Sequence, residues 1–169
     1  MANKIKRSQI KSYLNVAPES PAILGSLLAV YALIGEGVVD IAIEYNPKTS
    51  ESTELAQDSA TSEVESYAPK IPVEQIAFLG DEVFDFIDAL RLDRAILGDA
   101  ETDIVNIWEY ETGGPTAVPA EQQKVAIAVE SIGDEGGKPV KLNYTIYFVG
   151  APVIGTFNTT TKVFTAAGA

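Results

Sequence analysis

A long polar segment lies between two strand-like stretches, and it restricts the folds available to this chain. Between Tyr45 and Val64 the only large apolar side chain is Leu55. Loops longer than about 12–15 residues without structure of their own are uncommon in compact domains, and they are usually functional or disordered. Two interpretations of residues 46–63 stay open at this point. The segment is either a disordered surface loop or a β-hairpin arm that projects from the body and pairs with another copy.

The stretches on either side of the polar segment have the patterns of β-strands. Residues 38–45 alternate with a period of two, which is typical of a half-buried strand. The stretch after the polar segment also has strand character, but Pro69 and Pro72 interrupt it. Since proline cannot donate to a sheet ladder, we expect an edge position or a bend there. The face of the first stretch predicted to be buried carries Val39, Ile41, Ile43 and Tyr45.

One segment has a clear helical pattern, and it runs from about residue 81 to residue 97. Asp81 is the expected N-cap, and Gly98 is a suitable residue to follow the last turn. We expect the helix to bury one face on a sheet. The apolar side chains at helical spacing are Phe84, Ile87 and Leu90.

The rest of the chain predicts β-structure. We expect strands at residues 102–110, 122–131 and 140–149, and a last hairpin at 153–164. Glycine-rich turns separate these strands, as tight reversals of the chain require. The predicted fold class is therefore mainly β: an antiparallel β-sandwich or barrel with one packed helix and a long hairpin or loop arm at about 46–63.

The first twenty residues differ in charge from the rest of the chain. No acidic residue occurs before Glu19, and the apolar pattern is weak. We interpret residues 1–20 as an exposed basic arm and residues 21–169 as a single β-domain. The apolar run 22–34 is shorter than the roughly 20 residues that span a bilayer, so we expect a buried strand or short helix, with a signal peptide as the alternative. The basic residues of the arm are Lys4, Lys6, Arg7 and Lys11.

Composition excludes several classes of active site. The chain has no cysteine and no histidine, which removes disulfides, thiolate metal sites and Ser-His-Asp or Cys-His catalytic arrangements. Asp81, Asp85 and Asp88 lie near one face of the predicted helix, but an acidic first turn explains two of them without a metal. The net charge of −12 disfavours binding to a nucleic-acid backbone. We predict a non-enzymatic protein without catalytic residues, cofactor or metal.

A set of motifs in a fixed order resembles the major tail tube proteins of long, non-contractile bacteriophage tails. The set covers about residues 33–158, and its specificity lies in the order and spacing of the motifs. The matching pieces of this sequence are GEGVVDIAIEYNP, ESYAPKIPVEQ, GDEVFDFIDALR, DAETDIV, GDEGGKPVKLNYTI and GAPVIGTF.

This resemblance implies a fold of two packed β-sheets flanked by one helix, and an assembly built from many copies. Six copies form a ring whose inner strands join into a continuous barrel. Rings stack helically into a tube around a tape-measure protein, and a tail terminator is a further partner. Viral DNA passes through the bore without specific binding, and no membrane is involved. Such a protein is assembled in the cytoplasm of the bacterial host and resides in the virion tail.

The resemblance also implies roles for particular residues. The segment after YNP corresponds to an arm that reaches a neighbouring subunit or ring. Asp40 and Glu44 are candidate acids of the bore, where negative charge repels DNA. The basic N-terminal residues named above are candidates for contacts between stacked rings. Candidate contacts on the inter-subunit arm are Lys48, Glu51, Glu54, Leu55 and Asp58.

Two alternatives to a tube subunit stay open. The first is another ring protein of the virion, such as a tail terminator or neck protein. The second is a secreted β-sandwich that acts as a binding module. Self-association separates them, since a tube subunit is expected to form rings or filaments and a binding module to stay monomeric.

Overall fold

The computed structural model describes residues 3–18, 29–55, 59–111 and 114–168. None of the helices in these ranges is long and apolar enough to cross a membrane. The helix α1 spans Glu82–Asp93, and short 3-10 turns span Arg7–Gln9 and Leu97–Ala100. The strands are β1 (Ile10–Asn15), β2 (Tyr31–Leu33), β3 (Val38–Ile41), β4 (Pro47–Ser52), β5 (Thr61–Tyr67), β6 (Lys70–Ile76), β7 (Glu101–Trp108), β8 (Val118–Gly133), β9 (Lys141–Asn158) and β10 (Val163–Ala166).

Most of the strands belong to one antiparallel sheet. Its order is β2-β1-β7-β8-β9-β6-β3, and β10 pairs with β9 beside this path. The strands β4 and β5 form a separate two-stranded hairpin. The large sheet curls into a half-barrel, so the predicted mainly β fold is confirmed. The three central strands were also predicted, and β9 continues without a break into the predicted last hairpin.

The strands β8 and β9 are long enough to belong to two parts of the sheet. They pair with each other along almost their whole length. Residues 120–126 of β8 also pair with β7, whereas residues 127–133 have β9 on one side only. Residues 141–147 of β9 pair with β6, which in turn pairs with β3. The term four-strand half-sheet is used below for β3, β6, residues 141–149 of β9 and residues 124–133 of β8.

A larger core lies on one face of the sheet, under α1. The helix contributes Val83, Phe84 and Ile87, which are buried. Full burial of a side chain of this size stabilises the fold by roughly 1.5–3 kcal/mol. The helix therefore packs on the sheet as its apolar stripe predicts. The sheet residues of this core include Leu14, Ile71, Ile104, Val125, Leu142, Tyr144 and Ile146.

A smaller core lies on the opposite face, where the sheet curls over itself. The Phe157 ring centroid is 4.7 Å from that of Tyr13 and 5.9 Å from that of Tyr31. Successive residues of a strand point to opposite faces. Tyr13 and Leu14 therefore serve different cores, and β1 is buried on both faces.

A buried glutamine fixes the start of α1 to the sheet. The Gln75 amide nitrogen donates to the Asp81 carboxylate and, at 3.1 Å, to the Glu36 carbonyl. Its amide oxygen accepts a hydrogen bond from the Tyr144 hydroxyl at 3.1 Å. Asp81 also accepts the backbone N–H of Val83 at 3.2 Å, which confirms the predicted N-cap. Buried polar groups are costly when unpaired, so this network specifies where the helix begins.

The helix ends earlier than predicted. It stops at Asp93 instead of about residue 97, because Arg94 adopts the left-handed conformation with φ 48° and ψ 48°. The Ala95 N–H then bonds the Leu90 carbonyl at 3.0 Å, which closes the last turn. Gly98, the predicted terminator, lies in the following 3-10 turn.

The N-terminal segment is not an exposed arm over its whole length. Residues 10–15 form β1, which pairs with β2 on one side and β7 on the other. The alternation expected of a strand is weak here because both faces are buried. In the apolar run 22–34, Tyr31–Leu33 forms a strand, one of the two structures expected there. Residues 22–28 of this run lie outside the described residues.

The first strand-like stretch is shorter than predicted. Strand β3 ends at Ile41, and its register against β6 shifts between Val38 and Ile41. This irregularity turns Val39 outward, and its side chain is 87% exposed instead of buried. Strand β6 has a neighbour on each side, so Pro72 does not lie in an edge strand. It is tolerated because β3 ends at the Ile41↔Val73 pair, which leaves Pro72 with a strand partner in β9 alone.

Gly155 is expected to be essential for the β9–β10 pairing. A Cβ at this buried position would lie 2.8 Å from the Phe164 ring and closer still to the Thr165 carbonyl oxygen. We expect Gly155→Ala to lower the free energy of unfolding by about 1–3 kcal/mol through overpacking. Gly136→Ala is the control, because nothing lies near its Cβ. Urea unfolding measures both, and equal midpoints for the two variants would contradict the expectation.

Candidate assembly surfaces

The described residues of the polar segment form a β-hairpin rather than a structureless loop, and the pairing of this arm with another copy stays a prediction. The name hairpin arm is used for residues 47–67. Its strands β4 and β5 pair only with each other, from Pro47↔Tyr67 to Ser52↔Thr61. Every residue of the two strands except Ser50 is exposed. The arm therefore offers both of its long edges and both of its faces to solvent.

The candidate contact residues lie on this arm where the structure describes them. Glu51 and Glu54 are exposed, and Leu55 is fully exposed at the tip. The Lys48 ammonium lies 3.5 Å from the Glu65 carboxylate across the two strands. Asp58 lies outside the described residues. The role of these residues in contacts between subunits stays a prediction.

The root of the arm is held by the residues of the YNP motif. Asn46 has a positive φ of 43°, a conformation that asparagine tolerates better than most residues. Its side-chain amide donates to the carbonyls of Glu44 and Ala68, at 3.3 and 3.2 Å. These bonds connect the segment that enters the arm to the segment that leaves it. The Tyr45 and Tyr67 rings pack edge to face, with 6.5 Å between their centroids. The arm therefore leaves the sheet in a defined direction.

A partly buried carboxylate lies near the same root. Burial raises the pKa of the Glu121 carboxyl. Burial also raises the pKa of Tyr45, and the nearby Glu121 and Tyr110 raise it further. Glu121 belongs to β8, and its charge is thus one cause of the raised pKa of Tyr45 at the arm root. The sequence did not single out Glu121, because this interaction joins residues that are distant in sequence.

The two candidate bore acids project from the face opposite the larger core. Ile41 and Ile43 pack against that core, so Asp40 and Glu44 point the other way. Both acids are exposed, as the alternation predicted. The name open face is used for this surface of the four-strand half-sheet. The charged residues on it or at its border are Asp40, Glu44, Glu74, Glu101 and Glu130, with Lys70, Lys124 and Lys141.

Each lysine of the open face lies beside a carboxylate. Lys70 is 3.6 Å from Glu44, and Lys141 is 2.9 Å from Glu74. Lys124 pairs with Glu101. The carboxylates outnumber the lysines, so the face is negative overall. The sequence revealed Asp40 and Glu44 but not these pairs, because every pair joins residues from different strands or loops.

The basic residues at the N-terminus do not act as one group. Lys4 and Lys6 are exposed before the first strand. Arg7 donates through Nε to the Ile41 carbonyl at 3.1 Å. Lys11 belongs to β1 and pairs with Glu109 at 2.6 Å. The structure thus separates two exposed lysines from two residues bonded to the sheet, and their predicted role in contacts between rings stays a prediction.

Metal ligands are not grouped in the described part of the chain. No cluster of three or more His, Cys, Asp or Glu residues suited to a metal ion occurs there. Asp81 caps the helix, and Asp88 bonds Arg91 at 2.7 Å. Two of the three acids considered as metal ligands are thus explained by local structure.

Comparison with known proteins identifies the fold. No family model matches the chain, and no curated protein matches it. A chain from the tail of an empty GTA particle, refined with C6 symmetry, is similar over 89% of this chain and 98% of its own, with a TM-score of 0.61 and 13% identity. A chain from the sheath/tube terminator of an extracellular contractile injection system, PVC, is similar over 91% of this chain and 98% of its own, with a TM-score of 0.52 and 9% identity. The protein therefore has a tail-tube-like fold.

Glu121 provides a test of the electrostatics at the arm root. Its pKa is raised in the folded state, so folding opposes ionisation, and the penalty is fully present above the folded-state pKa. We expect Glu121→Gln to raise the melting temperature at about pH 7, and this gain to shrink as the pH falls through the raised pKa. Circular dichroism melting curves at several pH values measure it. Glu54→Gln, on the exposed arm, is the control, and a gain independent of pH would contradict the expectation.

Proposed function

We propose that the protein is the structural subunit of a bacteriophage tail tube. Six copies form a ring, and the rings stack into a hollow tube around a tape-measure protein, with a tail terminator at its end. Viral DNA leaves through the bore. The protein is assembled in the cytoplasm of the bacterial host and resides in the virion. The observation that carries the proposal is the similarity, over 89% of this chain, to a chain of the GTA tail refined with C6 symmetry.

The directions of the strands support closure of a ring. In the four-strand half-sheet each strand is antiparallel to its neighbour, so the two outer strands, β3 and β8, run in opposite directions. Rotation about a ring axis keeps the direction of every strand. The β3 edge of one copy therefore meets residues 127–133 of β8 from the next copy in antiparallel orientation. The half-sheets then join into one closed barrel without unpaired edges.

The hairpin arm supports a second kind of contact between subunits, outside the proposed barrel. Its exposed backbone edges can pair with an extended segment of a neighbouring subunit. Leu55 supplies an apolar tip, and the acids along the arm limit pairing with unrelated chains. A hairpin whose described strands are exposed along almost their whole length is suited to bind a neighbouring subunit.

The open face supports a bore through which DNA slides. In the proposed barrel it lines the lumen, since α1 covers the other face. Its excess carboxylates repel phosphates, and each of its lysines is occupied by a carboxylate. DNA is therefore not held at any point of the tube.

The motif resemblance favours a long non-contractile tail as the particular kind. A tail terminator is the second candidate function, favoured by the similarity to the PVC terminator chain. The two differ in the size of the assembly. A terminator is expected to stop at one ring, whereas a tube subunit continues to stack.

Deletion of residues 49–60 tests the proposed assembly. We expect the full-length protein to form rings and tubes at high concentration, visible by negative-stain electron microscopy. The deletion variant is expected to stay a folded monomer, because the described strands of the arm are exposed and add nothing to either core. Light scattering gives its mass, and circular dichroism confirms its fold. Full-length protein that remains monomeric under all conditions would overturn the tube proposal, and normal tubes from the deletion variant would remove the arm from it.

Charge reversal at Glu44 tests the bore. Glu44→Lys leaves Lys70 unpaired and adds a second cation beside it, so we expect phosphates to be retained and genome ejection to slow several-fold. Assembly is expected to continue, because the side chain is exposed. Asp93→Lys is the control, since it reverses an exposed charge on the helix, on the other side of the sheet. Dye-detected DNA release from particles gives the rate, and an unchanged rate for Glu44→Lys would exclude the bore role.

A further inference from the structure

The edge of β3 is the part of the proposed ring contact that another segment of the same chain already occupies. Glu44 and Lys70 exchange both of their backbone hydrogen bonds at 2.9 Å, so they are a hydrogen-bonded pair. Such pairs alternate with non-hydrogen-bonded pairs along an antiparallel ladder. Ile41↔Val73 lies three positions away in the same register and is therefore a non-hydrogen-bonded pair. The Ile41 carbonyl accordingly points away from β6, towards the open edge.

The Arg7 guanidinium is the hydrogen-bond donor to this carbonyl. Its Nε donates to the Ile41 oxygen at 3.1 Å, and its Nη1 donates to the Ile10 carbonyl. The guanidinium thus bridges the start of β1 and the edge of β3. A groove of about 230 Å³ separates the two elements, lined by residues from 7–12, 33–35 and 38–41.

We propose that Arg7 is a removable cap on the β3 edge, which holds the free subunit in a form that does not pair with another copy. The proposal rests on the proposed function, because it assigns the β3 edge to the ring contact. A strand of a second copy needs the acceptor that Arg7 uses. Arg7 must therefore leave Ile41 before the edges join.

The cap is reversible because the hydrogen bond from Arg7 to Ile41 is weaker than the pairing of a whole strand at the same edge. A single exposed hydrogen bond contributes little net stability, whereas a strand added at the edge forms several backbone bonds at once. The cap therefore slows the first encounter without opposing the completed ring. Exposed sheet edges require protection of this kind, and β3 adds two further forms of it, a short length and an irregular register.

The cap and a stacking role for the basic N-terminus predict opposite effects. If Arg7 contacts the next ring through its charge, its removal weakens assembly, and removal of Lys4 does the same. If Arg7 caps β3, its removal speeds assembly, whereas removal of Lys4 does not speed assembly. Lys4 is the matched control, because it is an exposed cation in the same short segment.

The test compares Arg7→Ala, Arg7→Lys and Lys4→Ala with the unmodified chain. Tube formation is followed by light scattering at equal concentration and ionic strength. We expect Arg7→Ala to assemble about 2- to 10-fold faster, the range that one hydrogen bond provides. Arg7→Lys, which keeps the charge and loses the two-point contact, is expected to fall between, and Lys4→Ala is expected to assemble no faster than the unmodified chain.

Hydrogen exchange of the dilute monomers supplies an independent reading. Arg7→Ala is expected to increase exchange in residues 3–9, while the melting temperature stays close to that of Lys4→Ala. Equal or slower assembly of Arg7→Ala would overturn the cap and leave the tube proposal standing. If none of the proteins assembles, the proposed function falls, and the role of Arg7 in assembly falls with it.

Discussion

The ladder between β8 and β9 is the constraint on which the rest of the structure depends. Both cores are attached to it, since Val125 and Ile127 of β8 face the larger core while Val118 and Ala120 face the smaller one. A slip of one residue would exchange the two faces of the strand. A bulge in the ladder fixes this register: three residues of β9, Gly150–Pro152, lie opposite the single residue Gln123 of β8. The Gln123 amide donates to the Gly150 carbonyl at 2.6 Å and closes this gap.

The same ladder leaves the four-strand half-sheet with two open sides. Strand β7 leaves β8 at Ala126, so no described strand pairs with the outer edge of the last part of β8, and the same holds for the outer edge of β3. Strand edges in water are hydrated and cost little, but they are templates for association. The fold therefore combines a well-packed interior with a surface suited to self-association. The hairpin arm extends this surface, and none of its described residues belongs to either core.

Electrostatics adapt the open face to the proposed bore in a way that net charge alone does not describe. Three lysines remain on this face despite the acidity of the chain, and each is held by a carboxylate of another element. A paired lysine offers less attraction to a phosphate than a free one, and the repulsion by the remaining acids acts over the whole surface. The arrangement of the charges matters here as much as their number.

The sequence by itself determined the elements whose residues carry local signals. Asp81 marked the start of the helix, the alternation at 38–45 placed Asp40 and Glu44 on one face, and YNP marked the root of the arm. Only the tertiary structure decided where local signals conflict or vanish. The pattern of residues 10–15 predicts part of an arm because a strand buried on both faces lacks alternation, and Arg94 ends the helix although glycine is the usual signal. The lysine pairs, the open edges and the Arg7 contact join residues distant in sequence, so no local pattern encodes them.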